Sequence, residues 1–363
     1  LNGISFSSPA TGIVVGNGGV IRKTSNAGLN WTASPSGTTA DLTAVAFVGA
    51  STYIAVGNSG TILKTTNGGA SWNPVTSGTN YRLNGVFANG PVVYACGENG
   101  TILASTNSGN AWSSISTGIS FNLNQITFVS NLVGYAVGDG GTILQSVNAG
   151  QAWNIVASGT TTHKLTSVFF SDEAHGIITG GIAASNQSKI FRTTNSGGVF
   201  NTTDFSGTFL NALGFADYFN GFAVGGSINS NSGTIFQTTN QGASWTPVAT
   251  TSSRLLGVCY PTSGIAYACG MDGTILRYAE NTAGLEEAIS SEIQISPNPG
   301  NGVFIIESGS DPLLSAELFT ASGEKLFTVY HPSTIDLSAC SSGLYLVVLR
   351  SEHAVLTRKL VKE

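Results

Sequence analysis

Gly57-Asn-Ser-Gly-Thr-Ile-Leu-Lys-Thr-Thr-Asn67-Gly-Gly-Ala-Ser-Trp72 decides how this chain is read, because the stretch recurs. Copies begin at Gly16, Gly57, Gly97 and Gly138, continue with insertions at Gly180 and Gly225, and finish at Gly270. Trp31, Trp72, Trp112 and Trp153 follow one another at steps of 41, 40 and 41 residues, and Phe200 and Trp245 extend the series. A fixed period of this length marks one supersecondary unit repeated along the chain. Within each copy, apolar stretches between turn residues read as four short strands, a to d. In the second copy these are 42–48, 53–57, 61–66 and 71–75. The Gly-Asn-Ser-Gly stretch joins b to c, where glycine supplies the positive φ of a tight hairpin.

Seven copies of four strands predict an all-β chain whose first part is a seven-bladed β-propeller. A solenoid needs capping repeats at its ends, and neither end has that character. The seventh copy runs to Glu280 without a Trp strand, whereas the first opens directly at strand a, 1–6. The expectation is a seventh blade of three strands with an open edge, an invitation to pairing. Its fourth strand, and a signal peptide, are expected upstream of Leu1.

Composition agrees. Charged residues are 9% of the chain, against roughly 25% in ordinary domains, and 47 of 363 residues are Gly. The 41% hydrophobic content supports a core. A net charge of −5 leaves no basic footprint for nucleic acid. No apolar run is long enough for a membrane-spanning helix. Cys96, Cys259, Cys269 and Cys340 lack zinc spacing. A turn centred on 261–264 sets Cys259 opposite Ala266, too far from Cys269 for a disulfide, so both read as free thiols. Cys96 and Cys269 stand at a repeat position held elsewhere by Val15, Val56, Val137 and Val224, which predicts buried apolar packing.

The c–d connection carries a motif. Thr65-x-Asn67-x-Gly69-x-x-Trp72 resembles the Asp-box, S/T-x-D-x-G-x-x-W, and recurs around Asn26/Trp31, Asn107/Trp112, Asn148/Trp153 and Asn240/Trp245, with a weaker copy around Asn195/Phe200. Every copy has Asn in place of Asp. Asn still bonds its own backbone two residues on, so these residues are expected to fold the turn, and the Trp to pack between blades. The blades resemble those of Asp-box propellers: sialidases, xyloglucan hydrolases, sortilin-type receptors and, most of all, the photosystem II assembly-factor-like group. The resemblance covers residues 1–280 and implies fold rather than activity.

Composition shifts after that. Residues 1–280 hold 9 basic and 9 acidic side chains, residues 281–363 hold 5 and 10. Residues 281–291 read as a linker, and 292–363 as a small Ig-like β-sandwich with strands at 293–296, 302–307, 316–320, 325–330, 344–350 and 356–361. Pro297-Asn298-Pro299 with Gly302, Gly343 with Tyr345, and Lys359 to Lys362 together resemble the type A C-terminal sorting domain of type IX secretion cargo. Ser296 departs from the aromatic that often precedes Pro-Asn-Pro. That resemblance implies a Gram-negative Bacteroidota-type bacterium and passage through the periplasm. It also implies engagement of the type IX secretion machinery, then release or attachment to surface lipopolysaccharide. An unrelated adhesion module is the alternative.

In a propeller, d–a connections and b–c turns share one face. The residue before each strand-a Leu then rings the channel mouth: Asp41, Arg82, Asn122, Lys164, Phe209 and Arg254, with Tyr81, Phe121 and His163 one step earlier. Insertions at 182–187 and 227–232 fall in b–c turns on the same face. Arg82, Lys164 and Arg254 are candidate donors to an anionic or carbohydrate ligand, and Tyr81 and Phe121 candidate platforms. Ordinary solvated loop charge is the plain alternative. A glycoside hydrolase needs two suitably spaced carboxylates, and Glu98 and Asp139, at equivalent positions of neighbouring blades, are set too wide. An envelope assembly or scaffold role is a further alternative. His163, His175, His331 and His353 have no ligand spacing, and neither a metal nor a cofactor is expected.

Overall fold

The computed structural model describes residues 1–156, 163–262, 264–279, 294–307, 313–320, 325–351 and 355–363. It divides into two compact units, Leu1–Ala279 and Glu280–Glu363. The expected linker, 281–291, lies outside the described residues.

The first unit is a β-propeller. Its described residues form seven antiparallel sheets, six of four strands and one of three, each a simple meander in chain order. In the second sheet the strands are Leu42–Gly49, Thr52–Gly57, Ile62–Thr65 and Asn73–Pro74, the last two shorter than expected from sequence. The third and fourth strands shorten because the Thr65 and Asn67 side chains take over the bonding of the turn between them. The first strands are Gly3–Phe6, Leu42–Gly49, Leu83–Asn89, Leu123–Phe128, Lys164–Phe170, Phe209–Phe215 and Leu255–Thr262. Each contacts the next, and the last contacts the first, so the blades close a ring.

In blades 1, 2, 4 and 7 the b–c connection is a three-residue 3-10 turn; Asn58–Gly60 is one example. Ser59 and Gly60 both have positive φ, 55° and 67°. Gly60 is obligatory for a second reason: a Cβ there strikes the Thr79 carbonyl of the following d–a connection. In blades 5 and 6 the insertions extend the hairpin. Gly181 and Ile182 continue the ladder to Ser188 and Gln187, and Gly226 pairs with Gly233.

In blades 2 to 7 the first strand carries a β-bulge after its leading Leu, as between Leu42 and Ala44 or Leu123 and Gln125. A bulge re-aims the extra side chain, and here it aims it at the next blade. Asn2 donates to the Leu42 carbonyl (2.8 Å), Thr43 to Leu83 (2.6 Å) and Asn84 to Leu123 (2.8 Å). Asn124 donates to Leu165 (2.7 Å), Thr166 to Leu210 (3.0 Å) and Asn211 to Leu255 (2.7 Å). Leu256 holds the seventh place and has no polar group. That junction is closed otherwise: the Leu1 amine donates to the Gly270 carbonyl (2.8 Å), as the Leu42 amide does to Gly16 (3.1 Å). Tyr267 of blade 7 also donates to the Ala27 carbonyl of blade 1 (2.8 Å).

The core lies between blades. Val15, Val56, Cys96, Val137, Val224 and Cys269 are all buried at their shared repeat position. All four cysteines are free. The register sets Cys259 opposite Tyr267 rather than Ala266, because the ladder is irregular between Cys259 and Thr262. Burial pushes the Cys96 and Cys269 thiols up to about 12, so both are inert packing groups.

The second unit is a β-sandwich of three and four strands. Thr334–Asp336 is a strand that alternation alone did not reveal, because it is only three residues long. Phe304, Leu318, Ile335, Val347 and Leu360 form its core. The motif residues converge from three parts of the sequence. Asn298 donates to the Lys359 carbonyl (2.6 Å) and accepts from the Val361 amide (2.9 Å). Gly302 accepts from the Leu337 amide (2.6 Å). Tyr345 donates to the Ser341 carbonyl (2.6 Å), and Lys362 to those of Ser338 (3.1 Å) and Cys340. Pro297 and Pro299 each follow a cis peptide bond, and Gly343 opens the strand that pairs with the chain's last one.

Candidate ligand-binding site

The two faces of the propeller are built differently. On one, the c–d boxes are self-contained turns. In all six, the Ser or Thr hydroxyl donates to the Asn Oδ1 at 2.8–3.0 Å: Asn26, Asn67, Asn107, Asn148, Asn195 and Asn240. The same Oδ1 accepts the amide four residues on at 2.9–3.0 Å. The hydroxyl accepts from the box Gly amide, as Thr65 does from Gly69 (3.0 Å). Sequence reading stressed Asn and Trp, yet this hydroxyl, fully buried at Thr65, Ser105 and Ser146, is the hub of the turn. Only Oδ1 is used in every copy, which explains why Asn serves where Asp is usual.

Trp72 and Trp153 are buried, while Trp31, Trp112 and Trp245 are half-buried. Trp72 donates to Ser34 of the preceding blade (3.1 Å). Trp112, Trp153 and Trp245 donate to their own box Gly carbonyls (3.2 Å each). In the a–b turns of this face, Asp172 binds the Ala174 and His175 amides and the His175 ring (2.8–2.9 Å). Burial raises its pKa, but the His175 ring and those amides outweigh it and hold the carboxyl below the usual range. It is thus engaged by its own turn. Asp217 is lowered likewise, by Asn220 and the Phe219 amide against burial.

The opposite face holds the d–a connections and b–c turns. Its carboxylates are committed. Asp41 accepts from the Gly18 amide (2.7 Å) and Asn58 (3.2 Å), and Glu98 from the Arg82 amide (3.2 Å). Asp139 accepts from Asn122 (3.0 Å) and Asn124 (2.9 Å), and Asp272 from Asn231 and Ser253 (2.9 Å each). The cations are not committed in the same way. Lys164 reaches Asp139 only at 3.9 Å and is half-exposed. The Nε of Arg254 is buried with no hydrogen-bond partner. The buried Asn58 Oδ1 is likewise unpartnered.

The apolar candidates divide. Tyr81 (48% exposed) and Phe121 (54%) stand out into solvent. His163 instead packs edge-on to Phe191 (6.4 Å) and is half-buried. Phe209 is not a mouth residue: it pairs with Gly226 and is buried, because the lengthened hairpin of blade 6 extends the ladder over it. The inserted hairpins make a wall across blades 5, 6 and 7. Asn186 donates to Ser227 (3.2 Å) and accepts from the Ile228 amide (3.1 Å), and Asn231 reaches Asp272. Between the first strands lies a cavity of about 210 Å³, lined by residues of all seven sheets, including the clasp residues Asn2, Thr43, Asn84, Asn124, Thr166 and Asn211. Sequence reading chose the residue before each Leu. The residue after it lines the channel. Among the described residues no three His, Cys, Asp or Glu side chains gather as metal ligands, and no helix is long and apolar enough to cross a membrane.

Residues 294–363 match the family model of the secretion system C-terminal sorting domain. No curated protein matches the chain. Among solved structures it is similar to YCF48 bound to D1 peptide, with a TM-score of 0.63 and 17% identity over 77% of this chain and 92% of that one. It is also similar to PorZ, a surface component of the type IX secretion system of Porphyromonas gingivalis (TM-score 0.57, 10% identity, 99% of this chain and 59% of that one). A third is the GH74 xyloglucanase from Xanthomonas campestris (TM-score 0.62, 11% identity, 96% of this chain and 57% of that one). At such identities the likeness is one of fold, and the fold is a β-propeller. The class is therefore an exported propeller with a C-terminal sorting tail. By that tail the chain is destined for the cell surface or the medium through type IX secretion.

Proposed function

We propose that this exported propeller binds a glycan or protein ligand at the face of its d–a connections and b–c turns. The observation that carries the reading is the imbalance at the mouth. Asp41, Glu98, Asp139 and Asp272 are satisfied by their neighbours, while Arg254 has a buried Nε without an acceptor. An anionic or hydroxyl-rich group suits the rest of the guanidinium by charge-assisted bonding. Arg82 and Lys164 add positive charge, Tyr81 and Phe121 add apolar platforms, and the wall of blades 5 to 7 bounds one side. The same commitment of the four carboxylates favours capture over hydrolysis. The cell is a Bacteroidota-type bacterium, where the protein is released or held on surface lipopolysaccharide. The test is binding of the chain to a broad glycan array beside the Arg82→Ala/Lys164→Ala/Arg254→Ala variant. Selective binding lost in the variant supports the reading. Equal binding by both refutes the site, and no glycan binding moves the ligand to a protein, sought by pull-down from the cell envelope.

A further inference from the structure

We infer that the cleft between blades 3 and 4, on the face of the boxes, binds an alkylguanidinium group borne by a peptide or by a small molecule. One repeat position, followed around the ring, carries the inference. In six blades the same third-strand place holds a long polar side chain: Lys23, Lys64, Gln145, Arg192, Gln237 or Arg277. In blade 3 it holds Ala104. Ala104 faces Tyr94 in the ladder, as Gln145 faces Tyr135 and Arg277 faces Tyr267.

Elsewhere in the ring these long side chains are held by neutral acceptors. Arg277 donates through Nε to the Tyr267 hydroxyl (3.3 Å), and Gln145 donates to the Tyr135 hydroxyl (2.8 Å). Arg192 donates to the carbonyl (2.9 Å) and the side-chain oxygen (3.3 Å) of Gln241, in the box of the next blade. Lys64 donates to Asn110 Oδ1 (2.6 Å), also in the next box. The cleft between blades 3 and 4 keeps all three kinds of acceptor and lacks the donor. Tyr94 gives its own proton to the Ala149 carbonyl (2.8 Å), as Tyr267 does to Ala27 (2.8 Å), which leaves the lone pairs of its hydroxyl open. Ala149 holds the box place of Gln241, and Gln151 that of Asn110. The Gln151 side chain is exposed and makes no hydrogen bond among the described residues.

The space matches the missing side chain. Where Arg192 fills the cleft between blades 5 and 6, a cavity of only about 10 Å³ is left beside it, against Ile177 and Gln241. Between blades 3 and 4 the cavity measures about 660 Å³, within the roughly 300–1,000 Å³ of small-ligand sites. Val92, Ile115 and Phe128 line it for an aliphatic stem, and Tyr94, Ala149 and Gln151 for a polar head. A guanidinium suits these acceptors better than an ammonium, because its planar fork of donors reaches several at once. The cleft lies on the face opposite the mouth, so either site can fail without the other.

The probes are agmatine, followed by calorimetry, and the fluorescein-labelled peptide Gly-Ser-Ala-Arg-Ala-Ser-Gly, followed by anisotropy. Both are titrated with the full chain, and amide exchange read by mass spectrometry locates the contact. The inference expects saturable binding and slowed exchange at 92–94 and 149–151. It expects a loss of about tenfold or more when the peptide Arg becomes Leu or n-butylamine replaces agmatine. Saturation by agmatine assigns the site to free small cations, and saturation by the peptide alone to a protein partner; both support the inference. Ala104→Arg, which restores the residue type of blades 5 and 7, is expected to abolish binding without lowering the melting temperature. Gln151→Ala, at an exposed position, is expected to weaken binding about threefold or more with the melting curve unchanged, and it decides the matter if Ala104→Arg melts early. Failure of both probes to saturate up to about 1 mM overturns the inference. So does equal binding of the Leu peptide, protection elsewhere, or undiminished binding to a folded Ala104→Arg chain or to Gln151→Ala.

Discussion

Trp153 and Tyr278 stand at two junctions of one ring and meet opposite surroundings. Trp153 is buried against Phe128, donates to its box carbonyl and belongs to a cluster with Tyr94 and Leu144. Tyr278 leans on Phe222 beside a groove, 40% exposed, on a strand with one neighbour among the described residues. The sheets are otherwise alike, so the contrast isolates what a fourth strand and its box contribute. In blades 2 and 4 they add few ladder bonds, since Asn73–Pro74 and Asn154–Ile155 are only two residues long, against six residues in blades 5 and 6. Their main contribution is an aromatic side chain that fills the gap between blades.

That contrast is sharpened most by truncating both rings. Trp153→Ala is expected to cost about 3–5 kcal/mol, the range for emptying a large buried aromatic site. Tyr278→Ala is expected to cost at most about 0.5 kcal/mol, as exposed substitutions do. Urea unfolding of both variants measures the difference, and equal losses would break the comparison.

A smaller effect is expected at the channel. Asn84→Ala leaves the Leu123 carbonyl without its donor, a loss of about 1–3 kcal/mol. Leu256→Asn restores the missing member of the ring of clasps, with the Leu1 carbonyl as its target. A gain of about 0.5–1.5 kcal/mol follows, and a loss of stability in that variant would show that the seventh junction obeys other rules.

The smallest effect is local and acid-dependent. Asp172 and Asp217 have folded pKa values below their unfolded ones. The stabilisation they bring is therefore present above the ordinary carboxylate value of about 3.9 and is lost as pH falls through the folded values. Amide exchange at Ala174, His175, Phe219 and Asn220 is expected to quicken in that window ahead of the core strands. Asp172→Asn should remove the pH dependence at Ala174 and His175 alone.

The period of the Trp residues and the Gly-rich turns made the blades legible, down to the three-stranded seventh sheet. The sorting motif was equally open to reading, because Pro297, Asn298, Gly302, Tyr345 and Lys362 are scattered in sequence but fixed in type. The clasps were not legible. Asn, Thr and Leu share the position after the leading Leu, and alternation assigns no direction to a residue that a bulge has pushed out of register. Phe209 was misplaced for a related reason: a count from the Leu ignores two residues of added ladder in blade 6. Arg254 was singled out by position, whereas its unpartnered Nε is a property of the packing around it.

The central claim is that the face of d–a connections and b–c turns holds the ligand. Hydrogen exchange of the full chain, with and without the tightest ligand from the array or pull-down, tests it most directly. The account predicts slowed exchange around residues 81–82, 121–122, 183–187 and 253–254, with the a–b turns and boxes unchanged. Slowed exchange confined to the boxes around Asn67, Asn107 and Asn148 would contradict it.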